Sequence, residues 1–350
     1  KLNEIKMRKV RVGVLGAYRG TAMINYCKVA DNAEVVAICD KWKEGLEKQK
    51  EHCKDFNVTF YDNFDDFINH DMDAVVLANY ANEHAPFAIR CLKKGLHVYS
   101  EVLPVQTMKE AVELVETVEE TGKIYAYGEN YCFMNGPYEM RRLYQAGELG
   151  ELRYAECEYL HDCRPIWASI TYGERNHWRN TKYSTYYCTH SIGPILHATK
   201  LRPVSVTGFE LNPTNTDLGA LCGDMGLEMV TLENGGILRS CHGYLSNDSV
   251  WYSLYGSKAH AETARKCTDN DKYNTLFVKN GTETKCYKPF DTDDEVLKSF
   301  GHGGSDYICM YHFIEKILGN KDADIIDVYE ALDSGLCGMF AYRSLLNGGI

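Results

Sequence analysis

The stretch KVRVGVLGAYRG, residues 9–20, decides the fold of this chain. Residues 9–16 form a β-branched apolar run that ends in glycine, which is typical of a buried parallel strand. A helix is predicted directly afterwards, over residues 21–29. A strand, a glycine-containing turn and a helix in this order predict the start of a doubly wound α/β domain.

The same alternation continues to about residue 130. Further strands are predicted at 33–39, 73–79, 96–99 and 123–127, and the helices between them at 41–52, 83–94 and 108–121. Strands that alternate with helices predict a parallel sheet covered on both faces. We therefore expect a Rossmann domain over residues 1–130.

From residue 131 onward the pattern changes to strands with few helices. After a helix at 138–146, strands are predicted at 151–160, 204–211, 227–232, 237–244, 250–255 and 274–278. The turns Glu233-Asn234-Gly235-Gly236 and Asn280-Gly281 are hairpin signals. We expect a second α+β domain over 131–350 with an open, mainly antiparallel sheet. Two final helices, at 305–318 and 327–346, are expected to pack back on the domain junction.

The composition is that of an acidic globular protein. Hydrophobic residues make up 45% of the chain and charged residues 25%, and the formal net charge is −11. A chain of this charge without a compact basic patch is not expected to bind nucleic acid or an anionic membrane surface. No run of about 18 apolar residues is present that could span a bilayer.

The fourteen cysteines include no Cys-x-x-Cys pair. They are predicted to be mostly small, buried, reduced side chains, and no metal site is expected. This favours a cytoplasmic protein. The sequence does not start with Met, so an upstream segment may have been removed and export stays open.

A dinucleotide site is predicted at the first strand–helix turn. Gly16, Tyr18, Arg19 and Gly20 lie where a diphosphate would meet a helix N-terminus, although Tyr18 occupies the place of the middle glycine of G-x-G-x-x-G. Asp40 ends the second strand, 24 residues beyond Gly16, where an acid can bind the adenosine ribose. An acid there repels a 2′-phosphate, so NAD is favoured over NADP. A structural turn and a solvated strand-end acid are the alternatives.

Two residues at the end of another predicted strand extend this site. Asn79 and His84 lie at the carboxyl edge of the sheet, where the nicotinamide half of the cofactor is expected. His84 could equally be a residue that starts a helix.

Several segments resemble the Gfo/Idh/MocA oxidoreductases. They are GVLGAYRG (13–20), DAVVLAN (73–79), GLHVYSEVLP (95–104) and GELGELRYAE (147–156). The resemblance implies a Rossmann domain, a C-terminal open sheet and sugar-like substrates. The family's ordinary dehydrogenases use a Lys, an Asp and a His. Here Val102 or Leu103 stands in place of the Lys, and the segment 189–193 lacks the acid and the distal histidine.

A second group of segments resembles a narrower family, the NAD-dependent glycosidases of glycoside hydrolase family 109, typified by α-N-acetylgalactosaminidases. The segments are ENYC (129–132), YLHDCR (159–164), WR (178–179) and YCTHSIGP (187–194). Those enzymes also replace the lysine segment and keep their NAD. The match departs at Cys163, Cys188 and Ser191, which leaves the sugar open.

This resemblance implies hydrolysis through transient C3 oxidation, C2 deprotonation, elimination, water addition and re-reduction. Tyr187 is the expected base and His190 the expected acid/base. They are three residues apart, so on a helical turn they face one way; a packed Tyr–His pair is the alternative. A dehydrogenase that releases a 3-keto glycoside is the alternative function, and a non-catalytic nucleotide-binding regulator is a third.

The remaining expected site residues lie mostly in these segments, and His302 is added because the glycines beside it allow a ligand to approach closely. The expected substrate ligands are Glu129, Tyr159, His161, Arg179 and His302, and the further cofactor ligands are Glu101 and Asn130. Each substrate ligand has a structural alternative: a solvated loop acid for Glu129, a polar outer strand face for Tyr159 and His161, a surface ion pair for Arg179, and a flexible linker around His302. The expected partner is a small carbohydrate or glycoside, and the open sheet suggests a homo-oligomer.

Overall fold

The computed structural model describes residues 8–244, 247–265 and 274–350. By its contacts the chain divides into two compact units. The described residues up to Gly128 form the first unit together with Glu295–Tyr329, and Glu129–Asp294 with Glu330–Ile350 form the second. The first boundary lies close to the expected one, whereas residues 295–329 group with the first unit rather than with the expected second domain.

The first unit is built on a six-stranded sheet in which all neighbouring strands are parallel. The strands are β1 (Val10–Leu15), β2 (Ala33–Cys39), β3 (Thr59–Tyr61), β4 (Ala74–Leu77), β5 (His97–Ser100) and β6 (Tyr125–Tyr127). Their order is β3-β2-β1-β4-β5-β6, which reverses direction between β1 and β4, the place where doubly wound folds bind nucleotides. The predicted Rossmann sheet is confirmed.

Five helices connect these strands. They are α1 (Thr21–Val29), α2 (Lys43–His52), α3 (Phe64–Phe67), α4 (His84–Lys93) and α5 (Met108–Thr121). The predictions for α1 and α5 agree with the structure to the residue. Local signals fix α5, because Thr107 and Glu110 form a capping box and Gly122 ends the helix at φ 60°. The short elements β3 and α3 were not predicted, since three or four residues show no periodicity.

The second unit contains an eight-stranded sheet. Its strands are β7 (Leu152–Leu160), β8 (Pro203–Glu210), β9 (Met225–Leu232), β10 (Ile237–Gly243), β11 (Ser249–Gly256), β12 (His260–Thr263), β13 (Leu276–Asn280) and β14 (Glu283–Tyr287). The order is β14-β13-β12-β11-β7-β10-β9-β8, with only β7 and β10 parallel among the described pairs. Both predicted hairpins, β9–β10 and β13–β14, are antiparallel as expected.

One face of this sheet carries a helix that is buried along its whole length. The helices before it are α6 (Asn135–Gln145), α7 (Trp167–Ile170) and α8 (Trp178–Thr181), and the buried one is α9 (Thr189–Thr199). Apolar side chains of α9, among them Ile192 and Ile195, pack with Leu238 of β10 and Tyr252 of β11. Its polar side chains are buried as well and are hydrogen-bonded: the Ser191 hydroxyl donates to the Cys188 carbonyl at 2.9 Å, and His197 Nδ1 lies 2.8 Å from Glu330 Oε2.

The chain ends in three helices, α10 (Glu295–Ser299), α11 (Ser305–Ile317) and α12 (Val328–Leu346). The helix α11 packs on α1 in the first unit, where the rings of Tyr26 and Tyr307 lie 4.9 Å apart. The helix α12 belongs to the second unit from Glu330 onward. Its Gly338 passes so close to Thr185 that a Cβ atom would lie 2.0 Å from the Thr185 carbonyl oxygen.

No helix in the described ranges combines the length and the apolar character of a membrane-spanning segment. Ten of the thirteen cysteines that the structure describes are buried, and all thirteen are free thiols. The cysteine prediction is therefore confirmed for those residues.

Candidate active site

The first unit forms a tight glycine turn between β1 and α1. Gly16 has φ +109°, and a Cβ atom on it would lie 2.4 Å from the Ala78 carbonyl oxygen. A Cβ atom on Gly20 would lie 2.1 Å from the Gly16 carbonyl oxygen. Both positions therefore require glycine, and the turn brings bare backbone to the start of α1. The Tyr18 side chain does not fill this turn, because 69% of its surface is exposed.

Asp40 is fixed against this turn. One carboxylate oxygen accepts the Ala17 backbone N–H at 2.6 Å, and the other accepts the Trp42 N–H at 2.9 Å. These two bonds hold a negative charge at the end of β2, beside the turn. The carboxylate oxygens keep further lone pairs for ribose hydroxyls.

A charge cluster follows the turn, in which the carboxylates of Glu101 and Asp306 are buried, Arg19 is half-buried and His302 is exposed. The Arg19 guanidinium donates to both carboxylate oxygens of Asp306, at 2.8 and 3.0 Å, and its Nη2 lies 2.8 Å from Oε1 of Glu101. The Nδ1 atom of His302 lies 2.9 Å from the Asp306 Oδ2 atom. The structure therefore brings together Arg19, Glu101 and His302, and adds Asp306, which the sequence did not identify as a site residue.

Burial and neighbouring charges shift the pKa values of this cluster in opposite directions. Burial alone would raise the pKa of Asp306, but the bonds from His302 and Arg19 outweigh it and hold the pKa well below its usual range. Burial alone would lower the pKa of Arg19, but Glu101 and Asp306 keep it raised. Burial raises the pKa of Glu101, and Arg19 offsets only part of that rise.

His84 and Asn79 lie together at the carboxyl edge of the sheet. His84 is buried, with Nδ1 2.9 Å from the Leu103 carbonyl oxygen and Nε2 3.2 Å from the Asn79 carbonyl oxygen. The ring therefore ties the end of β4 to the segment after β5. The Asn79 Oδ1 atom is buried without a hydrogen-bond partner among the described residues.

These features fit a dinucleotide. The glycine turn leaves room for a diphosphate at a helix N-terminus, Asp40 suits ribose hydroxyls, and the unsatisfied Asn79 oxygen is suited to a donor on a ligand. In the described parts of the chain, no three His, Cys, Asp or Glu side chains are grouped so as to hold a metal ion.

The second unit contains a buried acid–histidine pair. The Nδ1 atom of His190, on the first turn of α9, lies 2.6 Å from Oε1 of Glu129. Glu129 is only 1% exposed, and its Oε2 atom is buried without a hydrogen-bond partner among the residues described. A buried carboxylate that accepts from Nδ1–H fixes the orientation and tautomer of the imidazole. Glu129 is therefore not the solvated loop acid of the alternative reading.

Three tyrosine rings surround His190. The ring of Tyr131 lies 4.5 Å from the imidazole, that of Tyr159 4.7 Å and that of Tyr187 5.2 Å, centroid to centroid. Tyr187 and His190 are thus neighbours, as their spacing of three predicts. The cluster offers phenol and imidazole groups for proton transfer at one place.

Hydrogen bonds from side chains to backbone carbonyls hold the segment that carries Tyr187. On either side of it, the Thr185 hydroxyl donates to the Gly338 carbonyl at 2.8 Å, and the Cys188 thiol donates to the Ser334 carbonyl at 3.3 Å. The Tyr252 hydroxyl donates to the His190 carbonyl at 2.5 Å. These bonds attach the segment to α12 and β11, so the reactive side chains are set on a rigid support.

Two cations lie on the Tyr187 side of the cluster. The Lys182 Nζ atom lies 4.5 Å from the centre of the Tyr187 ring, and the Arg179 guanidinium lies 4.5 Å from the centre of the Trp178 ring. Burial and the charge of Arg179 lower the pKa of Lys182 to about 8. Among the described residues Arg179 forms no ion pair and packs on Trp178, which argues against the alternative of a surface salt bridge.

Burial makes two of the tyrosine side chains near His190 harder to ionise. It raises the pKa of Tyr159 and of Tyr252 well above that of a free phenol. Both side chains therefore stay neutral near pH 7 and can act as hydrogen-bond donors. Of the phenols around His190, Tyr187 is the one with a lysine ammonium against its ring.

His161 lies beside Tyr159, as the strand alternation predicts. The Tyr159 hydroxyl is 3.3 Å from the His161 Nδ1 atom, and the Cys163 thiol is 3.5 Å from the same nitrogen. Asn130 is buried at the start of a short 3₁₀ helix, Asn130–Phe133, in the second unit.

Sequence reasoning did not identify four residues of these clusters: Asp306, Lys182, Tyr131 and Tyr252. Tyr131 lies inside the ENYC segment and could have been noted from it. Lys182 and Asp306 belong to no recognised segment, and their roles follow only from distances between side chains.

The first unit matches a known protein family. The family described as "Oxidoreductase family, NAD-binding Rossmann fold" (Gfo/Idh/MocA) matches residues 10–129. That range covers the six strands β1–β6 and the glycine turn.

Two curated relatives match over nearly the whole chain. An α-N-acetylgalactosaminidase of Tannerella forsythia is 27% identical, covering 97% of this chain and 84% of that protein. A glycosyl hydrolase family 109 protein of Shewanella sp. strain MR-4 is 29% identical, covering 98% of this chain and 83% of that protein.

The fold is also found in solved structures. The scyllo-inositol dehydrogenase of Lactobacillus casei, solved with bound NAD(H) and scyllo-inositol, superposes with a TM-score of 0.76 at 18% identity over 98% of both chains. This similarity establishes the architecture of both units.

Proposed function

Because the chain is an enzyme of the Gfo/Idh/MocA oxidoreductase family, we propose that it is an NAD-dependent glycosidase. One observation carries the proposal: Tyr187, His190 and Glu129 form a connected group of phenol, imidazole and carboxylate in the second unit. Such a group suits proton transfer on a sugar, which a glycosidase of this type needs in addition to redox chemistry.

The first unit supplies the residues that would hold the cofactor. The turn at Gly16 and Gly20 would receive the diphosphate, Asp40 the adenosine ribose, and Asn79 and Glu101 the nicotinamide half. When bound, NAD would take a hydride from C3 of the sugar and return it at the end of the cycle.

Tyr187 is the proposed base. A ketone at C3 makes the neighbouring C2 proton acidic, and removal of this proton lets the C1 substituent leave by elimination. The base must be an ionisable group that can lose its own proton near neutral pH. Burial raises the pKa values of Tyr159 and Tyr252, which makes them poor bases, whereas Tyr187 has the Lys182 ammonium against its ring.

His190 is the proposed acid/base at the C1 side. Glu129 accepts from its Nδ1 atom, so Nε2 is the atom left for proton exchange. In the elimination it would give a proton to the leaving oxygen, and afterwards it would take one from the water that adds to C1. Glu129 acts through His190 and is a positioning residue.

The proposed substrate is a glycoside of an N-acetylated amino sugar. The support is the name of the Tannerella relative, together with the Arg179 side chain, whose donors can bind an acyl oxygen. Tyr159 and His161 would contact sugar hydroxyls, Tyr159 as a neutral phenol. Of the residues that depart from the family pattern, Cys163 lies beside His161, whereas Cys188 and Ser191 are buried against Ser334 and Ser240.

A net sugar dehydrogenase is the second candidate, since the fold is shared with scyllo-inositol dehydrogenase. A panel of nitrophenyl glycosides, incubated with the NAD-loaded protein, separates the two. A glycosidase releases nitrophenol without accumulating NADH. Stoichiometric NADH without nitrophenol would replace the proposal with the dehydrogenase, and neither product on any glycoside would reject both.

A further inference from the structure

Lys182 lies against the proposed base without an anionic partner. Its Nζ atom is 4.5 Å from the centre of the Tyr187 ring and 5.9 Å from that of Trp178. Within the described part of the chain, Lys182 forms no ion pair and no hydrogen bond. The side chain is half-buried. A partly desolvated ammonium that contacts only aromatic rings keeps its charge available to them.

Among the described residues, the groups that act on the charge of Lys182 are Arg179, which repels it, and the thiols of Cys163 and Cys222. Burial raises the pKa of both thiols, so they stay neutral at neutral pH. Tyr187 also lies beside Tyr159 and beside His190, which is bonded to Glu129. The Lys182 ammonium therefore lies against the Tyr187 ring with no neutralising carboxylate among the groups that act on it.

A phenolate spreads its negative charge over the ring, so a cation above the ring stabilises the ionised form. A cation within about 4–6 Å lowers the pKa of an acidic group by about 1–3 units. We propose that Lys182 is a positioning residue that stabilises the phenolate of Tyr187. This inference rests on the proposed function and names the source of the charge that makes its base competent.

The charge state of Lys182 limits the pH range in which it can stabilise the Tyr187 phenolate. Its pKa is lowered to about 8, so the ammonium predominates below pH 8 and the neutral amine above it. Stabilisation of the phenolate is therefore present below pH 8 and is lost as the pH rises further. An arginine at this position stays charged throughout this range.

The direct test is the titration of Tyr187 itself. The NAD-loaded protein is labelled with ¹³Cζ-tyrosine, and Tyr187→Phe assigns the resonance. The variants are K182M and K182Q, which remove the charge, and K182R, which keeps it. K48M is the matched control, since the exposed Lys48 lies 5.0 Å from the centre of the Trp42 ring in the first unit.

We expect Tyr187 to titrate at least about one pH unit higher in K182M and K182Q than in the wild type. K48M should titrate as the wild type does, and K182R should titrate at the wild-type pH or below it, because its charge persists above pH 8. An unchanged Tyr187 titration in a folded K182M or K182Q protein would overturn the assignment. If either K182M or K182Q fails to fold, the Tyr187 titration in the other variant tests the assignment.

Because the titration needs no substrate, it stands apart from the test of the glycosidase itself. If Tyr187 shifts as expected but no glycoside is cleaved, the proposed function fails and the Lys182 contact stands. If glycosides are cleaved and K182M keeps the wild-type pH–rate profile, the function stands and the role of Lys182 fails.

Discussion

The Nδ1 atom of His190 lies 2.6 Å from the Oε1 atom of Glu129, and both side chains are buried. An ionised carboxylate can only accept at this distance, so His190 carries a proton on Nδ1. The second ring nitrogen is then the one that exchanges protons. The contact with Glu129 therefore orients His190, at the start of α9, so that it can act as an acid/base group.

Glu129→Gln should lower kcat about 100-fold or more, because the amide cannot hold the imidazole in the same tautomer with the same charge. Steady-state kinetics on a cleaved nitrophenyl glycoside measure this, and NAD affinity should stay unchanged. Glu116→Gln, at an exposed position of α5, is the control. Wild-type kcat in the Glu129 variant would remove the carboxylate from the proton relay.

Asp40→Asn should weaken NAD binding about tenfold and narrow the preference for NAD over NADP. The carboxylate accepts two backbone N–H groups, and its charge opposes a 2′-phosphate. Calorimetry with both dinucleotides measures the two affinities. Asp55→Asn, at an exposed position, should bind as the wild type does. An unchanged ratio of the two affinities would contradict the ribose role of Asp40.

Asp306→Asn should lower the free energy of unfolding at pH 7 by about 3 kcal/mol, because it removes one partner of a buried ion pair with Arg19. Chemical denaturation measures the loss, and Asp322→Asn, an exposed position, is the control. A change of less than about 1 kcal/mol would mean that Glu101 alone satisfies Arg19.

The ion pair between Asp306 and Arg19 also predicts how the free energy of unfolding depends on pH. The pKa of Asp306 is held below its usual range, so its stabilisation is present above about pH 4 and is lost as the pH falls further. The difference between the wild type and Asp306→Asn should therefore be constant from pH 5 to 7 and shrink below pH 4. A difference that grows toward low pH would contradict the sign of the shift.

The sequence predicts the elements with a clear period and the residues within recognised segments. The strand at β1, the glycine turn and Asp40 follow from one short stretch and a spacing, because these interactions are local or at a fixed separation. Tyr187 and His190 were identified through the resemblance of segment 187–194 to family 109, and their spacing of three then predicts that they face one way. The capping box of α5 and the two hairpin turns are also local signals, and their elements agree with the structure.

Contacts between distant parts of the chain could not be predicted. Asp306 is 287 residues from Arg19, and Glu129 is 61 residues from His190. No periodicity or motif encodes such pairs, since they depend on which elements the folded chain brings together. The contact between His302 and Asp306 is a further example that the sequence did not predict, and the substrate role expected for His302 stays a prediction.

Deuterium incorporation at C2 tests the central idea most directly. The NAD-loaded protein cleaves a glycoside in heavy water, and NMR of the released sugar measures the label at C2. We predict about one deuterium at C2 per turnover, no accumulating NADH, and no exchange in Tyr187→Phe, which should still bind NAD. Cleavage that retains the original C2 hydrogen, or wild-type exchange in Tyr187→Phe, would contradict the account.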